Sequence, residues 1–215
     1  MFNYDETIYF DTETTGLNHY SDTITELAYL TETNQIALDK YIKISDDQQY
    51  SLDAINITGI TREFLKANGE NREEVISEVY NKIYENDNTL LIAHNISFDV
   101  SFIKTEFEKL NLEWKKIDVL DTLTVFKDMA PYPHKLKDAI NYFNIKGVQN
   151  SHRAIDDVIA LKAVTESMIS RNENMSKYIN LIGYNPKYGY NQTILDYCKY
   201  RPQKYNSRVP LYCCY

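Results

Sequence analysis

The chain has 215 residues, of which 43% are hydrophobic and 25% charged, and its formal net charge is −8. This composition is typical of a globular protein with a sizeable core. A mean hydropathy of −0.49 agrees, and no apolar run is long enough to span a membrane, so a membrane partner is not expected. The three cysteines form neither a disulfide framework nor a metal-binding spacing, and the amino terminus lacks the features of a signal peptide. We therefore expect a reduced, cytoplasmic protein.

The charge is unevenly distributed along the chain. Residues 171–215 hold seven Lys or Arg against two Asp or Glu, a net charge of +5, which leaves −13 for residues 1–170. An acidic body argues at first against a nucleic-acid partner, because contacts to phosphate dominate such affinity. Two bound divalent cations would reverse that argument by neutralising the acids that face the substrate.

The first predicted strand contains Ile8-Tyr9-Phe10 and leads into two acids, Asp11 and Glu13. Side chains alternate along a strand, so both carboxylates project from the same face. Their repulsion raises the pKa of each unless a cation lies between them. Two interpretations follow: solvated acids at an exposed strand end, or ligands of a hard divalent metal ion.

The other predicted elements follow from hydrophobic periodicity and from turn and cap residues. In chain order they are strands 24–31 and 35–44, short helices 51–56 and 62–66, helix 71–86, strand 90–93, a helix after Asp99, strand 117–120, helices 122–129 and 135–143, and helix 153–170. The first three strands suggest an antiparallel meander. Strands that first cluster and then alternate with helices predict an α/β fold around a mixed sheet.

Two acids stand out within the helical part of the chain. Helix 153–170 has an inward row in which one acid occurs among apolar residues: Ala154, Asp157, Leu161, Val164 and Met168. A carboxylate on such a row is costly unless it is paired with a cation or bound to a metal, and both alternatives remain open. The adjacent Asp156 belongs to a flanking row. Asp99 follows a buried strand at the opening of a helix, and strand ends that meet helix starts are where α/β sheets bind ligands.

Three segments, in this order, resemble the exonuclease motifs of the DEDDh 3′→5′ exonucleases: Phe10-Asp11-Thr12-Glu13-Thr14-Thr15-Gly16-Leu17, His94-Asn95-x-x-Phe98-Asp99 and His152-Arg153-Ala154-x-x-Asp157. Within that family the sequences of these motifs are most similar to those of the proofreading exonucleases of bacterial replicative DNA polymerases. The resemblance implies a ribonuclease H-like fold, with a mixed central sheet flanked by helices. We expect the exonuclease domain at 1–172 and a Tyr-rich, basic extension at 173–215.

The resemblance also implies roles for individual residues. The metal ligands for two Mg²⁺ or Mn²⁺ ions would be Asp11, Glu13, Asp99 and Asp157, with His152 as general base. The substrate-binding residues would be Thr14, Thr15, Gly16, Leu17, Asn95 and Phe98. Phe98 has the alternative of a core position. Arg153 would either meet a phosphate or be a solvated residue at a helix start.

The expected activity is removal of nucleoside monophosphates from the 3′ end of DNA, in proofreading or repair. The expected partners are single-stranded or 3′-end DNA, with a DNA polymerase or a sliding clamp as further candidates. One alternative is an exonuclease that trims RNA, since the acids do not distinguish ribose from deoxyribose. The other is a non-catalytic module that binds nucleic acid or a polymerase.

The extension after residue 171 holds nine of the 19 tyrosines, and we expect little regular structure there beyond one helix at 191–200. Basic residues interleave with aromatic ones along it: Tyr197, Lys199, Tyr200, Arg201, Lys204, Tyr205 and Arg208. That mixture can hold a single strand by charge and stacking, or the tyrosines can pack on the domain. The spacing of Gln192, Leu195 and Tyr197 is similar to that of peptides that dock on sliding clamps, the alternative being an ordinary helical turn.

Overall fold

The computed structural model describes residues 2–32, 36–148, 150–172, 174–205 and 209–214. Its central sheet has five strands: β1 (Glu6–Thr14), β2 (Ile24–Thr31), β3 (Ile36–Tyr41), β4 (Thr89–Ala93) and β5 (Asp118–Asp121). Their order across the sheet is β3-β2-β1-β4-β5. The pairs β1–β2 and β2–β3 are antiparallel, whereas β1–β4 and β4–β5 are parallel. The predicted meander and mixed sheet are therefore confirmed, although β3 ends earlier than expected.

The described ranges contain seven α-helices. They are α1 (Leu52–Thr58), α2 (Arg62–Asn68), α3 (Arg72–Ile83), α4 (Ile96–Lys109), α5 (Thr122–Met129), α6 (Leu136–Phe143) and α7 (Ala154–Arg171). Each coincides with a predicted helix to within a few residues, and Thr61 caps α2 as expected by accepting a hydrogen bond from the Phe64 amide. The α/β fold predicted from the sequence is confirmed.

The sheet separates two apolar clusters. Tyr9 of β1 packs in the cluster that holds α5, α6 and α7. Its neighbours Ile8 and Phe10 pack in the cluster on the opposite face, with α3 and α4. Because side chains alternate along a strand, Asp11 and Glu13 continue the Tyr9 row toward the face that α7 covers. The fold thus directs both acids of β1 toward the helix that carries Asp157.

The extension contains more regular structure than expected. A two-stranded parallel sheet joins β6 (Leu181–Tyr184) to β7 (Lys199–Pro202), and short 3₁₀ helices span Met175–Tyr178 and Leu211–Cys213. The helix predicted at 191–200 is wrong: residues 191–198 are irregular and lead into β7. Long-range contacts replace that helix.

Several tyrosines of the extension pack against the domain, which is one of the two roles expected for them. Tyr178 is buried and donates a hydrogen bond to Asp128. The Tyr197 hydroxyl accepts a hydrogen bond of 3.0 Å from Trp114, and the Tyr200 hydroxyl accepts one from the amide of the buried Leu195. Leu195 also packs in the apolar cluster with α3 and α4, so Leu195 and Tyr197, which suggested clamp docking, are both engaged with the domain itself.

Among the helices of the described residues, none combines the length and the apolar character needed to cross a membrane.

Candidate active site

The acids predicted from the three motifs converge at one side of the sheet. Asp11 and Glu13 come from β1, Asp99 from the first turn of α4 and Asp157 from the first turn of α7. Ligand atoms of Glu13, His152 and Asp157 all lie within 4.8 Å of one another. Asp11 joins these three residues in lining one cavity of about 680 Å³. The structure thus brings together the residues that the sequence singled out.

The electrostatics of this group are those of uncompensated negative charge. Burial raises the pKa of Asp11 well above its ordinary value, and the nearby carboxylates, led by that of Asp99, raise it further. Burial likewise raises the pKa of Glu13 to about 8, with Asp157 as the strongest neighbouring charge. Burial raises the pKa of Asp99 to about 7. Across the described residues, no ion pair with Lys or Arg neutralises any of these four acids.

Hydrogen bonds fix the orientation of two of the acids. The backbone amide and the hydroxyl of Thr12 both donate to Oδ1 of Asp99, at 3.0 and 2.8 Å. Asp157 accepts from Nδ2 of Asn150 at 2.6 Å and from the amide of Ser151 at 3.2 Å. Among the described residues, Asp157 is therefore held by neutral donors and pairs with no Lys or Arg, so the pairing alternative considered for it is not found there.

Arg153 has a role that neither sequence interpretation anticipated. Its Nε lies 3.0 Å from Oε1 of Glu26, a fully buried acid of β2, and its guanidinium lies 5.1 Å from the centre of the Tyr41 ring. The other Glu26 oxygen accepts from the amide of Ala154 at 3.2 Å. This pair attaches the amino-terminal end of α7 to the sheet, so it positions the segment that carries His152. The Arg153 side chain remains 39% exposed, and its contact with a phosphate stays a prediction.

His152 itself lies in the left-handed region, with φ of 58°, directly before α7. That conformation is uncommon for a residue other than glycine and persists where the surroundings impose it. The imidazole is exposed, yet one of its nitrogens belongs to the group with Glu13 and Asp157. An exposed imidazole beside fixed carboxylates is suited to accept and release a proton.

The predicted substrate-binding residues lie around two cavities that share Glu13, Leu17 and Phe98. The cavity of about 680 Å³ also includes Asn95, and a second cavity of about 610 Å³ includes Thr14 and Gly16. Leu17 is 82% exposed, so its side chain is accessible from both cavities. Phe98 is half-buried, so its ring contributes both to the core and to the cavity walls.

Thr15 is the predicted binding residue that neither cavity includes. Its side chain is fully buried, its amide donates to the carbonyl of Thr23, and its carbonyl accepts from the amide of Ser51. The neighbouring Gly16 leaves room for the side chain of Asp22. A Cβ at Gly16 would lie 2.4 Å from the Asp22 carboxylate oxygen that accepts from the Asn18 amide.

Three further residues of the site were missed by the sequence analysis: Thr12, Glu26 and Asn150. Glu26 is the single acid within β2 and lies directly opposite Glu13 in the β1–β2 register. An acid inside an otherwise apolar strand was therefore a usable signal. Thr12, a strand residue, and Asn150, a loop residue, had no comparable signal, because a polar side chain that bonds to a distant acid looks the same in sequence as one that does not.

Comparison with known proteins assigns the fold. The family model described as "Exonuclease" (RNase_T) matches residues 8–165. The chain belongs to this exonuclease family. It is 36% identical over 169 residues to the DNA polymerase III PolC-type of Listeria innocua, covering 77% of this chain and 11% of that protein. It is 33% identical over 178 residues to the PolC-type enzyme of Caldanaerobacter subterraneus, covering 80% and 12%. The chain thus spans about a ninth of the length of these relatives.

Solved structures with the same fold include exonucleases. Exonuclease I of E. coli, in complex with a dA16 oligonucleotide, has a TM-score of 0.70 at 22% identity, covering 80% of this chain and 42% of that one. The nuclease domain of 3′hExo, a DEDDh family member bound to rAMP, has a TM-score of 0.63 at 16% identity, covering 79% and 94%. The ribonuclease H-like fold and the resemblance to DEDDh exonucleases are confirmed, and the chain carries a nuclease domain.

Proposed function

We propose that this chain is a divalent-metal-dependent 3′→5′ exonuclease that releases nucleoside monophosphates from DNA. The observation that carries the proposal is the grouping of Glu13, His152 and Asp157 within 4.8 Å, beside Asp11 and Asp99 and without a compensating lysine or arginine in the described part of the chain. The PolC-type relatives and the oligonucleotide complex of Exonuclease I support DNA as the substrate and proofreading or repair as the setting.

The donor set fits hard divalent cations. Carboxylate oxygens are the ligands preferred by Mg²⁺ and Mn²⁺. Burial, and after it the neighbouring carboxylates, raise the pKa values of Asp11, Glu13 and Asp99, and bound cations would stabilise the charged form of these buried acids. Asp157 would join those three as a ligand. Bound there, two metal ions would stabilise negative charge on both the attacking and the leaving oxygen of a phosphodiester.

The protein groups supply binding and proton transfer. The cavity of about 610 Å³ would hold the 3′-terminal nucleotide, with Leu17 and Phe98 as apolar contacts for its base and sugar. His152 would accept a proton from the attacking water through its ring nitrogen. Asn150 would keep the Asp157 carboxylate oriented during that transfer, and the Glu26–Arg153 pair would keep the start of α7 in register.

The experiment that tests the proposal uses single strands labelled at one end. With a 5′ label and Mg²⁺ or Mn²⁺, we expect a ladder of products that shorten by one nucleotide, and no reaction in EDTA. A 3′-terminal phosphorothioate linkage should slow the reaction. Asp11→Asn, purified in the same way, controls for a contaminating nuclease.

Two outcomes would replace the proposal. Faster trimming of RNA than of DNA with equal sequence would favour the ribonuclease alternative. A folded protein that binds strands but releases nothing with either metal would favour a non-catalytic module. Association with a DNA polymerase or sliding clamp stays a prediction. The segment that suggested clamp docking would have to leave the domain, because Leu195 is only 4% exposed.

A further inference from the structure

The larger cavity extends beyond the acids to an aromatic wall built from two distant parts of the chain. Tyr132 and His134 lie in the loop between α5 and α6, and Tyr205 comes from the extension. Tyr205 lies outside the residues matched by the family model, which ends at 165. The same cavity includes Asp11, Glu13 and His152, so the aromatic wall and the candidate active site share one space.

The three rings form a supported platform. Tyr205 lies over His134, with centroids 5.7 Å apart and planes inclined by 22°, and it meets Tyr132 at 5.1 Å and 55°. His134 is buried, and its Nε2 donates to the carbonyl of Ala130 at 2.9 Å. The backbone carbonyl of His134 in turn accepts a 2.9 Å hydrogen bond from His94. Hydrogen bonds from the ring nitrogen and to the backbone carbonyl of His134 therefore hold its ring in place beneath Tyr205.

Tyr132 and Tyr205 are much more exposed than the tyrosines that hold the extension to the domain. Tyr178 is 1% exposed, and Tyr197 is engaged with Trp114, so these rings stabilise the fold. In contrast, Tyr132 is 63% exposed and Tyr205 45% exposed, and both face the cavity that holds the acids. A supported ring with an exposed face is what a nucleobase needs for stacking.

Two lysines add positive charge to the same cavity. Lys127 is only 7% exposed, and in the described part of the chain its ammonium makes one long hydrogen bond, 3.5 Å to the carbonyl of Gly183. Lys135 is exposed and lines the cavity next to His134. Neither lysine has an ion pair with an acid among the residues that the structure describes. Cations beside exposed aromatic rings suit a strand that carries both phosphates and bases.

We propose that Tyr205 and Tyr132 form a stacking subsite for a base upstream of the scissile phosphate, with Lys127 and Lys135 facing the adjoining phosphates. This inference rests on the proposed function, because it takes the acids as the place where the terminal nucleotide is released. The extension then contributes to strand binding through Tyr205, whereas its buried tyrosines hold it to the domain.

The test combines a residue change with the removal of one base. DNA single strands carry one abasic residue at the second, third, fourth or fifth position from the 3′ end, and KM and kcat are measured for release of the terminal nucleotide. For the wild type, one of these positions should raise KM about tenfold, the expected loss of one stacked base. In Tyr205→Ala the intact strand should show a KM raised by a similar factor, and the abasic residue should add no further increase.

Matched variants separate stacking from folding. Tyr205→Phe keeps the ring and should behave as the wild type. Tyr188→Ala removes a 71% exposed tyrosine of the same extension that does not line the cavity, and it should also leave KM unchanged. Melting curves of all variants identify any loss of the fold. If Tyr205→Ala retains the wild-type KM, or retains the full abasic increase, the subsite proposal is overturned and the surface serves another partner.

A binding measurement keeps this inference distinct from the proposed function. Fluorescence anisotropy of the same strands in Ca²⁺ reports affinity without requiring turnover. Base-dependent binding that is lost in Tyr205→Ala, without nucleotide release by the wild type, would support the subsite and refute the exonuclease proposal. Nucleotide release by the wild type, together with binding that does not depend on the base, would support the exonuclease proposal and refute the subsite.

Discussion

Replacing Asp157 and its neighbour Asp156 one at a time tests which of the two acids of α7 belongs to the candidate metal site. Successive residues of an α-helix point about 100° apart. Asp157 is 5% exposed and belongs to the group with Glu13 and His152, whereas Asp156 is half-buried and accepts a hydrogen bond from the Ser151 hydroxyl. We expect Asp157→Asn to abolish nearly all nucleotide release and Asp156→Asn to retain activity within a few-fold.

The size of the effect follows from the role of the ligand. Charge stabilisation by metal ions contributes several kcal/mol to such a reaction, so losing about 4 kcal/mol through Asp157→Asn would lower kcat about a thousandfold. Asp156→Asn keeps an oxygen that can accept the Ser151 hydroxyl, so its cost in stability should stay below about 1 kcal/mol. Asp157→Asn should remain folded without metal, because burial, which raises the pKa of Asp157, disfavours the charge that asparagine removes, while asparagine keeps one of the two accepting oxygens.

Melting curves with and without Mn²⁺ provide a readout that does not depend on catalysis. An ion present at about 100 times its Kd stabilises the folded state by about 2.7 kcal/mol, which corresponds to roughly 5–10 °C in Tm for a chain of this size. Wild type and Asp156→Asn should both show this shift, and Asp157→Asn should lose most of it. If Asp156→Asn were the inactive variant, the register assigned to α7 would be wrong. If both variants remained active and kept the shift, the metal-site interpretation of α7 would be refuted.

Three further changes test other parts of the structure. Asn150→Ala removes the 2.6 Å hydrogen bond to Asp157 and should lower kcat and Mn²⁺ affinity about 10- to 100-fold in activity assays titrated with Mn²⁺. Asn150→Asp should not restore either value, because it adds a like charge beside Asp157. Gly16→Ala places a methyl group 2.4 Å from a carboxylate oxygen and should destabilise the fold by about 1–3 kcal/mol in urea unfolding; an unchanged midpoint would contradict the close packing. Burial would raise the pKa of Glu106, but the charges and hydrogen bonds of Arg72 and Lys109 together outweigh burial and hold that pKa below its ordinary value. Glu106 therefore stabilises the fold above its unfolded pKa and loses this contribution as the pH falls through the folded pKa. The stability deficit of Glu106→Gln should accordingly be present at pH 7 and shrink below about pH 4, and a deficit independent of pH would count against the ion pair.

The helices and strands of the catalytic domain were predictable because their signals are local. The apolar row of α7 repeats at the helical period, and the structure buries Ala154, Leu161, Val164 and Met168 as that row requires. The same row separated Asp157, which is buried, from Asp156, which is not. A stripe that must face the core specifies the orientation of every residue on it, including the charged one.

The extension was harder to predict because its structure depends on distant partners. Residues 191–198 have a composition that permits a helix, yet Tyr197 bonds to Trp114, 83 positions away, and the Thr193 amide bonds to the Ser101 hydroxyl. Such contacts fix these residues against distant parts of the chain in an irregular conformation. Propensity is a weak guide where tertiary contacts of this kind are available.

The sequence by itself determined the order of the elements, the mixed sheet and the five residues that carry the candidate chemistry. The alternation of side chains along a strand, the helical period of apolar residues and the sequences of the motifs are all local properties of the chain. Only the tertiary structure decided how those residues are held. Arg153 and Glu26 are 127 positions apart, and nothing near either residue indicates that they pair across α7 and β2. Tyr205 likewise reaches the cavity of the acids only because the extension folds back over α5. Contacts between distant parts of a chain depend on how the elements pack, and that packing leaves no periodic trace in the sequence.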